Sequence, residues 1–189
     1  MKARPLVKLE DRLIYTEVVE GLVRHGLGGQ VSPRLRERLR HLGLDVDRPP
    51  PAFPVLAWQK CLHVIVEETF PGMPREEGFR RLAHRHVQGY GQTLIGKATL
   101  RVLRLLGPRR MVLRLPKVLS STDNYTEGSA EERGPMEYTV SINSKQPLGY
   151  VEGLFESVLL ACGAARPRVT LLEGSEEHST FLLTWSEAP

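Results

Sequence analysis

Cysteine is nearly missing from this chain: Cys61 and Cys162 are its two thiols among 189 residues. Two thiols make no disulfide framework, and both lie on or beside apolar helical stripes, where free cysteine acts as a small hydrophobe. No apolar run approaches the roughly 18–20 residues of a membrane span. The first residues, Met1 to Arg12, mix charged and apolar positions and lack the apolar core of a secretion signal. A cytoplasmic chain with no membrane insertion is therefore expected. There are no repeats at solenoid periods and no low-complexity tails. An interleaved aromatic–basic strand, a recognition-helix motif and a zinc site are also missing, so nucleic acid is not the expected partner.

What is present suffices for a packed core: 41% of residues are hydrophobic and 25% charged. At this length one domain spanning residues 1–189 is the natural expectation. The net charge of +4 hides an asymmetry, because residues 1–117 carry 22 Lys and Arg against 11 Asp and Glu. That part is +11 and the remainder −7. Such a split suits an acidic partner or association between copies, and a homodimer is the expected assembly. Solvated arginines on amphipathic helices explain the same numbers without any partner.

Periodicity divides the chain in two. Tyr15, Val18, Val19, Leu22 and Val23 predict a helix over Arg12–His25, broken by Gly26, Gly28 and Gly29. Ser32-Pro33 opens a second helix, Arg34–Leu42, with Ser as cap and Pro in the first turn. Pro49-Pro50-Pro51 reads as a rigid strap. Three further stripes follow: Val55, Trp58, Leu62, Ile65 and Val66; then Phe79, Leu82, Ala83, His86, Val87 and Tyr90; then Ile95, Ala98, Val102 and Leu105, closed by Gly107-Pro108. Met111, Leu113 and Leu115 alternate as a first strand would, and Ser120 to Gly134 reads as a loop or hairpin connection. Met136, Tyr138, Val140 and Ile142 alternate with polar neighbours as a half-buried strand. Val151, Leu154, Phe155, Val158 and Leu159 give one more helix, and strands follow around Val169–Leu171 and Phe181–Trp185. The prediction is α+β: a helical layer over 1–110, then a four-stranded, mainly antiparallel sheet in the order ββαββ over 111–189.

No catalytic constellation is visible, and a non-enzyme is expected. Gly91 to Ala98 satisfies G-x-x-x-x-G-K, but a helix precedes it and Ala98 stands where a phosphate-binding loop needs Ser or Thr. His84 and His86, two apart on a helix, point away from each other and make no metal pair. His86 lies on the apolar stripe, either as a core histidine satisfied by hydrogen bonding or as a polar group lining a pocket. Arg109 and Arg110 sit at the expected helix–sheet junction, where they would hold an acidic head group or pair with the acidic second part.

The stretches Val18-Val19-Glu20-Gly21-Leu22, Leu39-x-x-Leu42-Gly43-Leu44-Asp45, Phe79-Arg80-Arg81-Leu82, Gln88-Gly89-Tyr90 to Thr93, Gly107-Pro108-Arg109-Arg110, Asn124 and Thr184-Trp185 resemble an uncharacterised family of about 200 residues expanded in myxobacteria. More distantly, the order of elements around Gly149-Tyr150-Val151-Glu152-Gly153 is similar to the V4R and haem-nitric-oxide-binding superfamily. That resemblance implies a small molecule held between a helical layer and a small sheet, in a sensing or assembly role. The haem-binding branch takes its proximal histidine from a helix just before the first strand, and Leu100–Arg110 contains none. Its Tyr-x-Ser-x-Arg motif is not matched by Tyr138-Thr139-Val140-Ser141, and the cysteine-rich metal cluster of V4R proteins is missing too. No cofactor and no metal are therefore expected. The reading is a non-enzymatic sensor or adaptor that binds a small, mainly apolar ligand and regulates a protein partner. Trp58, His86 and Tyr90 line its site, with Arg109 or Arg110 as anchor. The alternative is a protein-interaction or scaffolding module with a filled core.

Overall fold

The computed structural model describes residues 7–144, 146–175 and 178–186. Residues 1–6 of the Met1–Arg12 stretch read for a leader thus fall outside the described residues, as does part of the turn after Ser175.

The first strand and helix depart from the sequence reading. Leu13–Tyr15 (β1) pairs antiparallel with Ala52–Pro54 (β2), with Ile14 opposite Phe53. The proline strap delivers β2 to this position, and Thr16 N–H donates to Pro51 O at 3.1 Å. The predicted helix over Arg12–His25 is therefore shorter: α1 spans Thr16–Glu20 and continues as a π-helical stretch, Gly21–Gly26. The apolar spacing holds for the helix from Thr16 onward and misassigns Leu13–Tyr15, with Tyr15 counted in its stripe, because that strand is made by a partner distant in sequence. Pro33–His41 (α2) is capped as expected, Ser32 Oγ accepting from Leu35 N–H at 3.1 Å. Arg38 ties it to Val55–Thr69 (α3) through Glu67 and Glu68, at 2.9 and 2.7 Å. Arg75–Tyr90 is α4.

Leu94–Val112 (α5) is interrupted at Gly107, whose φ of 72° and ψ of 170° are open to glycine at little cost. The break at Gly107-Pro108 is where the sequence put it, but the strand expected beyond it is not there. The chain resumes as helix, then forms Leu115–Leu119 (α6). The physical reason is visible in the burial: Met111, Val112 and Leu115 are inside, while Leu113 and Arg114 face out. That is a helical spacing, which five residues of alternation do not distinguish from a strand. The first strand of the main sheet is instead Gly128–Gly134 (β3), within the segment expected to be a loop. It is polar and exposed, and its pairing to the next strand, not its own propensity, makes it a strand.

Glu137–Ile142 (β4), Tyr150–Ala161 (α7), Ala165–Gly174 (β5) and Ser179–Ser186 (β6) complete the fold. The α+β class and the ββαββ order hold, with every pairing antiparallel and a strand order β3-β4-β6-β5. The helical layer runs on to Leu119, past the boundary expected at 110. Tyr138, Val140, Phe181, Leu183 and Val169 form the inner face of the sheet, against which Phe155 and Leu159 of α7 are buried in one cluster. A second cluster joins Ile14, Val19, Leu22, Trp58, Leu62, Phe79 and Tyr150. Leu154 of α7 packs against both.

Candidate functional site

The site is built around His86, whose position on the apolar stripe of α4 buries it to 5% exposure. Its Nε2 lies 2.8 Å from Val18 O in α1. A carbonyl only accepts, so Nε2 carries the proton and Nδ1 is left as acceptor. The Tyr150 hydroxyl, at the start of α7, donates to that Nδ1. The Trp58 ring stands edge-on to His86, with ring centroids 6.1 Å apart. The result is a polar chain through an apolar interior, from Tyr150 to His86 to Val18. Burial pushes His86 down to about 4 from an ordinary 6.5, against a smaller upward pull from the Val18 carbonyl. It therefore stays neutral. Burial likewise drives the Tyr150 phenol strongly upward, so it stays a hydroxyl.

Two adjoining pockets flank this chain at the seam between the two clusters. The larger, about 120 Å³, is walled mainly by Val87, Leu100, Leu103, Leu115, Val118 and Val158, with Tyr90 and Thr99 at its polar side. The smaller, about 90 Å³, lies among Ile14, Trp58, Tyr125, Ile142, Ser144 and Tyr150. Val18, His86, Leu119, Thr122, Leu154 and Phe155 belong to both walls.

The structure brings His86 to both pockets, Trp58 to the smaller and Tyr90 to the larger. It places the two arginines elsewhere. Arg109 pairs with Glu132 of β3 at 2.9 Å, and Arg110 is exposed; neither lines either of these two pockets. With residues 108–112 helical, the helix–sheet junction that put them beside a ligand does not exist.

Sequence reasoning missed Tyr150, Asp123 and Tyr125. Asp123 is 5% exposed in the wall of the smaller pocket. Its carboxylate accepts from the backbone N–H groups of Tyr125 and Thr126, at 3.0 and 2.6 Å, and from the Thr126 hydroxyl at 2.6 Å. This Asx turn was foreshadowed by Asp123-Asn124 within a polar stretch. Asn124 locks the turn onto β1, accepting from Leu13 N–H at 2.8 Å and donating to Asp11 O at 2.9 Å.

The fold has solved counterparts. A variant of Tt H-NOX superposes with a TM-score of 0.70 at 13% identity, covering 92% of this chain and 96% of that one. A structure from a study of haem redox potential and porphyrin distortion gives 0.68 at 13% identity, covering 91% and 100%. An oxygen-binding H-NOX domain related to soluble guanylate cyclases, in its oxygen complex, gives 0.67 at 14%, covering 90% and 94%. This chain has an H-NOX-like fold.

The residues here do not fit haem. Protein ligands to its iron are His, Cys, Met or Tyr. His86 has both ring nitrogens engaged within the protein. Burial raises the phenols of Tyr90, Tyr125 and Tyr150, opposing phenolate ligation. The two thiols line neither pocket, and burial pushes them up to about 12 for Cys61 and about 11 for Cys162. No Lys or Arg lines either pocket to meet carboxylates. Among curated proteins none matches the chain. A family profile does, over residues 12–186: the chain belongs to the family described as a protein of unknown function, DUF2378.

Proposed function

We propose that the chain is a non-enzymatic sensor domain whose ligand is a small apolar molecule, held between α4, α5, α6 and α7 beside His86. The observation that carries this is the larger pocket: about 120 Å³, almost wholly apolar, with a neutral imidazole as its polar landmark. Drug-sized ligand sites begin near 300 Å³, whereas an engineered apolar cavity of about 150 Å³ holds benzene or xenon. The volume thus suits a molecule no larger than a single ring. H-NOX domains, one of which is an oxygen-binding protein related to soluble guanylate cyclases, supply the fold-level precedent for sensing. Signal output would pass through α6, since Leu119 touches both pockets and α6 also packs on β3.

Xenon under pressure, followed by amide chemical shifts, tests the reading. Saturable shifts should centre on Val87, Leu103, Leu115 and Leu154. Leu154→Phe, which fills space in both pockets, should abolish them while leaving the melting temperature intact. Xenon shifts that are absent, or equally strong in Leu154→Phe, overturn the proposal in favour of a filled-core interaction module.

A further inference from the structure

Residues 78–122 contain no Asp or Glu and ten Lys and Arg. Within this stretch α5 presents an outer face that no element covers. Leu94 is 87% exposed, Leu105 83% and Val102 55%, with Ala98 exposed between them. At about 100° per residue these four share one arc of the helix. Lys97, Arg101 and Arg104 form the adjacent flank and enter an open groove of about 760 Å³, whose other walls are α4 and α7. No carboxylate lines that groove. Among the described residues none of the three cations enters an ion pair, whereas Arg80 and Arg109 do. Glu156, close by on α7, is already held by Arg80 and His84.

We infer that α5 is a docking surface for an anionic phospholipid membrane. The cationic flank takes headgroup phosphates, and the Leu94–Leu105 ridge enters the headgroup–acyl boundary. A solvent-exposed apolar arc running beside unpaired cations is the pattern of a helix that lies in a membrane interface. The helix does not cross the bilayer: no helix among the described residues is long and apolar enough to do so. The inference is independent of the pockets.

Flotation with phosphatidylcholine vesicles, with and without phosphatidylglycerol, tests it on the intact chain. Binding should need phosphatidylglycerol and weaken as salt rises. Arg101→Gln with Arg104→Gln should weaken it about 25-fold, about fivefold for each arginine lost. Leu94→Gln with Leu105→Gln should weaken it at least about tenfold. All four positions are exposed, so thermal melts should match the unaltered chain, and the salt series requires no variant. Equal binding to neutral vesicles, or no loss in either double variant, overturns the inference. So does a dimer in light scattering that Leu94→Gln with Leu105→Gln converts to monomer, since a second copy then covers the ridge.

Discussion

A single imidazole carries much of the interior chemistry. His86 keeps a proton on Nε2 for Val18 and a lone pair on Nδ1 for Tyr150, an arrangement possible only for the neutral ring. Its depressed pKa means the unfolded chain binds a proton that the folded chain refuses. The stability this lends is fully present above pH 6.5 and is lost as pH falls from there to about 4. The loss is about 3 kcal/mol. His63, also lowered by burial, adds in the same direction. Urea unfolding across that pH range should therefore show a steeper decline for the unaltered chain than for His86→Gln, which has no proton to gain. Equal slopes would refute the assignment. That His86 faces inward was legible from its place on the stripe of Phe79, Ala83 and Tyr90. Its hydrogen-bond partners were not, because Val18 and Tyr150 lie 68 and 64 residues away.

Between elements, the decisive contact is backbone against backbone. A Cβ on Gly89 of α4 would stand 2.0 Å from Gly21 O and 2.3 Å from Gly26 N. Glycine here lets α4 approach the π-helical stretch closely enough for His86 to reach Val18 O. Gly89→Ala should destabilise the chain by about 3 kcal/mol, at the upper end for overpacking, and melting should show it. It should also shift the His86 ring resonances. A melt within 1 °C of the unaltered chain would mean the approach is not tight. The sequence marks Gly26 as a helix interruption and leaves Gly21 and Gly89 within helical stretches, where a lone helix gains nothing from them. The same limit explains α6: Leu113 and Leu115 alternate locally, and only the position of the sheet decides that Leu115 turns inward.

For the whole molecule, the seam between two apolar clusters is where the pockets lie, with α7 contributing to both sides. Haem added to the purified chain should give no stoichiometric Soret band; a one-to-one band lost in His86→Gln would overturn the donor-set argument. The charge split resolves partly inside the fold, through Arg80 with Glu156 and Arg109 with Glu132, and among the described residues leaves Lys97, Arg101 and Arg104 of α5 without an ion pair. Local order was set by the sequence itself: helices from 3.6-residue stripes, the Ser32 cap, the stop at Gly107, the strands of Tyr138–Ile142 and Phe181–Trp185. Each of these follows from side chains within a few residues of one another. Tertiary structure alone decided that exposed Gly128–Gly134 is a strand, that Arg109 faces Glu132 and not a ligand, and that His86 and Tyr150 meet. Those outcomes depend on pairing and packing between segments far apart in the chain, which periodicity does not encode.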